Sequence, residues 1–257
     1  MDFLNTIIFS IVEGLTEFLP VSSTGHLNLT RVILNIPKSD FFTTFEIFIQ
    51  LGAILAVVVL YFKRVMASSL IWKKILVSFI PTGIIGLIFG KFIKNFLVSN
   101  EYITLLALFL GGIALIILEL LYKEKEHHFE NIEKIPYMSV VLIGLFQAIA
   151  VVPGVSRSAA TIVGALFLGI HRKTAVEFSF LLAVPTMLAA TIFDLNEANF
   201  NFSSDELSFM TFGFIGSFIT AIFAIKFFLN FIKNHTFIPF GIYRIVLSVL
   251  FYFLIIE

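Results

Sequence analysis

Glu13 to His26 reads EGLTEFLPVSSTGH and places carboxylates, hydroxyls and a histidine inside an otherwise apolar run. Pro20 and the hydroxyl cluster that follows it predict that one helix ends here and that a second helix begins. Each helical arm is shorter than the roughly 20 residues that a full membrane crossing requires. In a membrane protein such a stretch predicts a re-entrant hairpin, because irregular backbone in a bilayer must be buried in protein or line a cavity.

The composition is that of an integral membrane protein. Of the 257 residues 59% are hydrophobic and 13% are charged, the mean hydropathy is +1.02, and soluble domains carry about 25% charged residues. We expect one membrane domain over residues 1–257, without a cleaved signal sequence because the first basic residue is Arg31. A net charge of zero argues against a nucleic-acid partner and leaves membrane lipids as the expected surroundings.

Six longer apolar segments predict full membrane spans. They are Phe41–Phe62, Ile75–Ile93, Tyr102–Tyr122, Ala175–Phe193, Phe209–Phe231 and Ile238–Ile256. The loop Lys63–Lys74 contains four basic residues and is predicted to be cytoplasmic, whereas the loop Asp194–Glu206 contains none and is predicted to lie outside. The linker Lys123–Lys134 is predicted to be a solvated cytoplasmic loop rather than a metal site.

A second break in the chain is similar to the first. Pro153 to Thr161 reads PGVSRSAAT, and Pro153 follows Pro20 by 133 residues. Counting spans from the basic loop gives the two hairpins opposite orientations in the membrane. The predicted fold is therefore an all-α polytopic transmembrane bundle with two inverted-topology repeats, approximately residues 1–122 and 135–257, each with a re-entrant broken-helix hairpin.

Two carboxylates precede the first break. Glu13 and Glu17 lie four residues apart, so their side chains share one face of a helical arm. A charge at the centre of a membrane helix costs about 2.5 to 3.5 kcal/mol, which favours a functional role over a solvated position. The two carboxylates could bind a divalent cation or divide the roles of acid and base. Glu46 and Glu177 are 131 residues apart in the spans after the breaks, and they are equally consistent with hydrogen bonds between helices.

Hydroxyls follow the first break. Ser22, Ser23 and Thr24 stand where a helix restarts, and at least one of them is expected to cap its free N–H groups. His26 follows within two to four residues, close enough for its imidazole to activate a hydroxyl. A lone structural histidine is the alternative, but the cluster favours catalysis.

Arg157 is the strongest candidate for binding an anion. It lies between Ser156 and Ser158, and its guanidinium offers a fork of donors suited to bidentate contact with phosphate. Long apolar runs on both sides make snorkelling to the membrane surface unfavourable here. Lys226 and Arg244 lie nearer to the ends of spans and are predicted to snorkel.

The two breaks resemble the undecaprenyl-diphosphate phosphatase family of integral membrane enzymes. The resemblance extends to FEIFIQLGAILAVVV from Phe45, EFSFLLAVP from Glu177 and FIPFGIYR from Phe237, and so covers nearly the whole chain. It implies removal of one phosphate from undecaprenyl diphosphate, recycling of the cell-wall lipid carrier in the bacterial cytoplasmic membrane, and bacitracin resistance. The family's acidic, hydroxyl–histidine and arginine motifs fall on Glu13 and Glu17, on Ser22, Ser23, Thr24 and His26, and on Pro153 to Thr161.

The residue types indicate how such a reaction would proceed. Backbone N–H groups and seven residues are expected to hold the diphosphate: Arg157, Ser156, Ser158, Thr161, Ser22, Thr24 and Gly154. Glu13 and Glu17 would hold Mg²⁺ or Ca²⁺ against it. Ser23 activated by His26 is the first choice of nucleophile, and a water activated by Glu17 is the second. The isoprenoid tail would lie along a Phe-rich groove open to lipid.

An anion transporter or a lipid-phosphate flippase is the competing class. Inverted repeats, broken helices and a buried arginine also describe such proteins. A carrier needs an anion site but no nucleophile, so the cluster of Ser23, His26 and Glu17 favours an enzyme. The sequence leaves the oligomeric state open, including a homodimer.

Overall fold

A computed structural model describes residues 1–37, 39–92, 101–125, 128–195 and 202–256, and these residues form an all-α fold with ten α-helices. The helices are α1 Phe3–Thr16, α2 Ser23–Ile33, α3 Asp40–Met66, α4 Ser69–Phe92, α5 Glu101–Leu121, α6 Tyr137–Ile149, α7 Arg157–Phe167, α8 Arg172–Leu195, α9 Ser204–Phe231 and α10 Ile238–Ile256.

Five of the described helices, α3, α4, α5, α8 and α9, are long and apolar enough to cross a membrane. They coincide with five of the predicted spans, although residue 93, the predicted end of the second span, lies outside the described residues. Helix α10 has the bounds predicted for the last span. Large apolar side chains such as Leu87, Leu106 and Phe223 are exposed along these helices, as expected where protein meets lipid. The protein is therefore a multi-pass membrane protein.

The two predicted breaks are present, and each separates two short helices. Helices α1 and α2 contain 14 and 11 residues, and α6 and α7 contain 13 and 11, so every arm is too short for a full crossing. Ser22 and Ser156 are the N-caps of α2 and α7, and both have positive φ, 70° and 74°. Each serine hydroxyl accepts a hydrogen bond from the N–H three residues later. The two breaks therefore share one backbone geometry.

Close helix packing holds the breaks inside the bundle. Helix α9 packs against α1 and α3, α4 packs against α6 and α8, and α5 packs against α10. Gly154, with φ of 90°, lies in the second break directly against the backbone of Thr104 in α5, where a Cβ would clash. Only glycine combines this backbone conformation with such an approach.

Residues Lys63–Lys74 were predicted to form a loop, and this prediction is wrong because most of them are helical. The basic residues of this segment lie within α3 and α4, and only residues 67 and 68 connect the two helices. Lys74 is buried, and its ammonium donates hydrogen bonds to the backbone carbonyls of Ile132, Glu133 and Ile135. Burial of Lys74 is tolerated because those carbonyls replace the water that its ammonium loses.

The two predicted polar segments are only partly described. In the linker Lys123–Lys134, residues 123–125 are exposed as predicted, but Ile132 is buried and 126–127 lie outside the described residues. In the loop Asp194–Glu206, residues 196–201 lie outside the described residues. The described end of that loop is a capping box, in which Ser203 and Glu206 bond each other's backbone N–H at the start of α9.

Candidate active site

The two breaks meet around one small polar cavity. Its volume is about 140 Å³, and seven of the predicted site residues line it: Glu17, Ser22, Ser23, Thr24, Gly154, Ser156 and Arg157. The first residues of α2 and α7 both lie on the cavity wall. Helix N-termini carry N–H groups without intrahelical partners and a partial positive charge, so the cavity is suited to an anion.

Arg157 bridges the two breaks. Its Nη2 donates to Glu17 Oε1 at 3.1 Å, and its Nη1 donates to the Ser179 carbonyl at 2.8 Å and to Ser179 Oγ at 3.3 Å. The guanidinium carbon lies 5.9 Å from the centre of the Phe18 ring. Its buried Nε has no hydrogen-bond partner among the described residues. The guanidinium is thus held in one plane by Glu17 and Ser179, and its Nε is the one donor without a partner among the described residues.

Ser23 and Glu17 form a hydroxyl–carboxylate pair. Ser23 Oγ donates to Glu17 Oε2 at 2.6 Å, and both side chains are buried. The other oxygen of the same carboxylate accepts from Arg157. Glu17 therefore lies in position to take the Ser23 proton, while Arg157 stabilises the charge of the carboxylate.

His26 was predicted to activate Ser23, but its ring nitrogens contact other groups. Its Nδ1 lies 2.8 Å from the Ser22 carbonyl, and its Nε2 lies 2.6 Å from the Tyr243 hydroxyl of α10. A carbonyl oxygen only accepts, so Nδ1 carries the proton. The two rings are stacked with centroids 5.5 Å apart. The imidazole thus connects Tyr243 of α10 to the backbone of the turn at Ser22.

Ser158 and Thr161 lie behind Arg157 rather than on the cavity wall. Ser158 Oγ donates to the Phe18 carbonyl at 2.8 Å and so fastens α7 to the first break. Thr161 Oγ1 donates to Ser179 Oγ at 2.6 Å. Sequence reasoning missed Ser179, because one hydroxyl in an apolar span usually indicates packing. The only sequence signal was its place in the EFSFLLAVP segment of α8.

Glu13 is fully buried, with 0% of its surface exposed, and neither of its carboxylate oxygens has a hydrogen-bond partner among the described residues. The charges of Glu17, Glu46 and Arg157 act on it. Two orphan carboxylate oxygens in a protein interior fit a bound cation. The described residues contain no group of three or more Asp, Glu, His or Cys side chains placed to bind a metal. A cation on Glu13 and Glu17 would thus need ligand oxygens from a substrate.

The predicted snorkelling of Arg244 is wrong. Arg244 is fully buried and donates only to backbone carbonyls, which compensate its charge in the protein interior. Lys226, in contrast, is exposed on α9. Glu177 forms an ion pair with Arg64 that joins α8 to α3, so its observed contact is between helices.

An apolar groove of about 510 Å³ runs past the other side of the first break. Leu15, Leu19, Phe223, Phe227, Phe240 and Tyr243 are among the residues that line it. Phe223 and Phe227 are 66% and 59% exposed, so the groove opens on the lipid-facing surface. Tyr243 lies on the groove wall and also binds His26, and His26 binds the Ser22 carbonyl beside the polar cavity.

Comparison with known proteins identifies the family of this chain. Residues 6–250 match the family model described as bacitracin resistance protein BacA. An undecaprenyl-diphosphatase of Sulfurihydrogenibium sp. is 52% identical over 252 residues, which are 98% of this chain and 99% of the relative. The undecaprenyl-diphosphatase of Aquifex aeolicus is 51% identical over 245 residues, 95% of each chain. That of Methanococcus aeolicus is 45% identical over 250 residues, 97% of each chain. The chain belongs to the BacA family.

Proposed function

We propose that this protein is an undecaprenyl-diphosphatase that hydrolyses undecaprenyl diphosphate to the monophosphate and inorganic phosphate. The reaction recycles the cell-wall lipid carrier in the bacterial cytoplasmic membrane and confers bacitracin resistance. One observation carries the chemical assignment: Ser23 Oγ lies 2.6 Å from Glu17 Oε2, and Arg157 binds the same carboxylate. Relatives about 50% identical over nearly the full length carry the same enzyme name.

The polar cavity holds the diphosphate. The N-termini of α2 and α7 direct N–H groups and partial positive charge toward it. The unpartnered Nε of Arg157 supplies a charged donor, and Thr24 and Ser156 add hydroxyls on the cavity wall. Ser158, Thr161 and Ser179 act indirectly, because their hydrogen bonds fix the position of Arg157 and α7.

Ser23 is the nucleophile, and Glu17 is its base. As Ser23 Oγ bonds to the terminal phosphorus, its proton passes to Glu17. The bond between that phosphorus and the bridging oxygen breaks, and the bridging oxygen leaves on undecaprenyl monophosphate with the electron pair. Glu17 then gives the proton to the leaving monophosphate. Water finally displaces Ser23 Oγ, so that its hydroxyl goes to inorganic phosphate and its proton returns to Ser23.

Glu13 is the principal cation ligand. Its two orphan oxygens would hold Mg²⁺ or Ca²⁺ together with Glu17 and phosphate oxygens, a donor set typical of Mg²⁺ at phosphate sites. The cation would neutralise charge on the diphosphate. Glu17 has less capacity for the metal, because Ser23 and Arg157 already bind its oxygens.

The tail lies in the apolar groove. A polyisoprenoid is wholly apolar, and the phenylalanine and leucine side chains of the groove offer it continuous van der Waals contact. The chain of contacts from Tyr243 through His26 to Ser22 connects the groove to the cavity. His26 therefore positions the break at the junction of tail and headgroup.

Two inverted repeats account for the order of helices. Helices α1 to α5 and helices α6 to α10 each begin with two short helices and continue with three longer ones. The N-caps Ser22 and Ser156 are 134 residues apart. Glu13 and Gln147 are also 134 apart. The Gln147 amide donates to Thr82 and Thr186, whereas Glu13 has no such partner among the described residues. The first repeat thus retains a carboxylate for chemistry where the second has a structural amide, and each short pair forms a re-entrant hairpin.

The proposed topology places residue 67 in the cytoplasm and residue 204 outside. The chain has no cysteine. Ala67 follows the C-terminal end of α3 within the predicted cytoplasmic segment, Ser204 begins α9 within the predicted outside loop, and both are exposed. On intact cells, we expect an impermeant thiol reagent to label the Ser204→Cys variant and to label Ala67→Cys only after permeabilisation. Labelling of Ala67→Cys alone on intact cells would show that the orientation is reversed.

Phosphate release tests the proposed function and its cation. We expect the purified protein in detergent to release phosphate from undecaprenyl diphosphate with Mg²⁺ and to stop when chelator is added. Glu13→Gln should raise the Mg²⁺ concentration for half-maximal rate at least tenfold, because an amide is a weak ligand. Glu101→Gln, a change in a carboxylate that pairs with Arg31 instead, should leave it unchanged.

Transfer of lipid without phosphate release would instead support the flippase. Full activity of a Glu13→Gln, Glu17→Gln double variant would exclude the cation assignment.

A further inference from the structure

Arg244 is the largest fully buried polar side chain among the described residues, and all of its donors are used. A guanidinium has five N–H donors. Those of Arg244 lie 2.9 to 3.3 Å from five backbone carbonyl oxygens, which belong to Leu108, Pro20, Val155, Ala107 and Gly154. No donor remains for a ligand, so Arg244 does not bind substrate itself.

The five carbonyls come from three separate parts of the fold. Pro20 belongs to the first break, Gly154 and Val155 belong to the second, and the other two belong to α5. Pro20 lies two residues before the cap Ser22, and Val155 lies immediately before the cap Ser156. One side chain on α10 thus holds both breaks just ahead of the helices that begin at the polar cavity.

We infer that Arg244 is a positioning residue that fixes both breaks so that the N-termini of α2 and α7 face the diphosphate. Arg244 binds the carbonyls of Pro20, Gly154 and Val155 just before α2 and α7 begin. The first N–H groups of α2 and α7 then point to the cavity. The positive charge of Arg244 is offset by five carbonyl dipoles, which is why it is tolerated in the interior. The inference rests on the proposed function, because it names what orients the phosphate donors of that site.

Gly111 offers a way to disturb Arg244 without removing its charge. A methyl group at Gly111 of α5 would stand 2.8 Å from Cζ of Arg244, so Gly111→Ala must displace the guanidinium from its carbonyls. Gly86 of α4 is a matched control, because a Cβ there meets nothing within 4 Å. Arg244→Lys is the second variant, since an ammonium has three donors for five carbonyls.

The test measures anion affinity as well as turnover. For each purified variant, thermal shift with inorganic phosphate gives its dissociation constant, and phosphate release gives kcat and KM with undecaprenyl diphosphate. We expect Gly111→Ala and Arg244→Lys to weaken phosphate binding and to raise KM at least tenfold, because the N–H donors are no longer aligned. Gly86→Ala should stay within twofold of the parent in each constant.

A purely structural role predicts a different pattern. Fewer folded molecules would lower the apparent kcat while KM and the phosphate dissociation constant stay at parent values, and that result would overturn the inference. Parent-like constants in folded Arg244→Lys would overturn it as well. If the parent protein binds inorganic phosphate but does not hydrolyse undecaprenyl diphosphate, the proposed function fails. The phosphate affinities of the variants still decide the role of Arg244.

Discussion

Arg157→Lys is expected to release phosphate about a hundredfold more slowly than the parent and nearly as slowly as Arg157→Ala. The Arg157 guanidinium holds Glu17 with one nitrogen and Ser179 with another, and we propose that its unpartnered Nε binds the substrate. Lysine keeps the charge but has a single nitrogen, so it cannot serve three directions at fixed angles. Loss of one oriented donor to a developing charge typically costs about 3 kcal/mol, roughly a hundredfold in rate.

The measurement is kcat/KM on undecaprenyl diphosphate for variants shown to be folded. Arg64→Lys is the matched control, because Arg64 pairs with Glu177 between α3 and α8 and is 39% exposed. We expect it to stay within threefold of the parent. If Arg157→Lys also stays within threefold, under about 1 kcal/mol, the role of Arg157 as a phosphate clamp is excluded.

Glu17→Gln is expected to lower kcat about a thousandfold, within the range of 10² to 10⁴ that a general base contributes. Glutamine retains the shape of the side chain but cannot accept the Ser23 proton, and it loses the ion pair with Arg157. Ser23→Ala should cause a similar loss, and the double variant should be little worse than either single variant, because the two residues act as a unit.

The pair of variants also separates the two candidate nucleophiles. If a water activated by Glu17 attacks directly, Ser23→Ala keeps most of its activity while Glu17→Gln does not. Single-turnover phosphate release measures the chemical step in both, and Glu101→Gln, in a carboxylate that pairs with Arg31 away from the cavity, serves as the control. Parent-like single-turnover rates in Glu17→Gln would remove Glu17 from the mechanism.

The breaks and their short arms could be predicted from the sequence because the responsible residues act locally. Proline disfavours the continuation of a helix, and serine after it caps the next one, so Pro20 and Ser22 indicate where the first break lies. Arg157 was predictable for a related reason, since a permanent charge inside a long apolar run requires a partner.

Arg244 could not be predicted in the same way, because its partners are backbone carbonyls. Every residue carries a carbonyl, so no residue type in the sequence indicates where an arginine will find five of them. The assignment of Arg244 to the membrane surface followed from its distance to a span end, and the packing of α10 against α5 overrode that distance.

The partner of Ser23 could not be predicted either. His26 is closer in sequence to Ser23 than Glu17 is, but α1 ends at Thr16, and the break folds Glu17 back over the start of α2. The path of an irregular segment is determined by tertiary contacts, here Arg157 on Glu17 and Ser158 on Phe18, which lie about 140 residues away in the chain.

Because the apolar groove opens sideways to the lipid, it determines the unit in which substrate concentration must be expressed. Phe223 and Phe227 are exposed on the apolar surface of α9, so under the proposed function the isoprenoid tail would reach the groove from within the bilayer without passing through water. The quantity that governs saturation is therefore the mole fraction of substrate among lipid or detergent molecules, and a KM expressed in bulk molarity has no fixed value. Detergent added at a constant amount of substrate lowers that mole fraction and therefore lowers the rate. Rates from different experiments are comparable only at the same mole fraction of substrate.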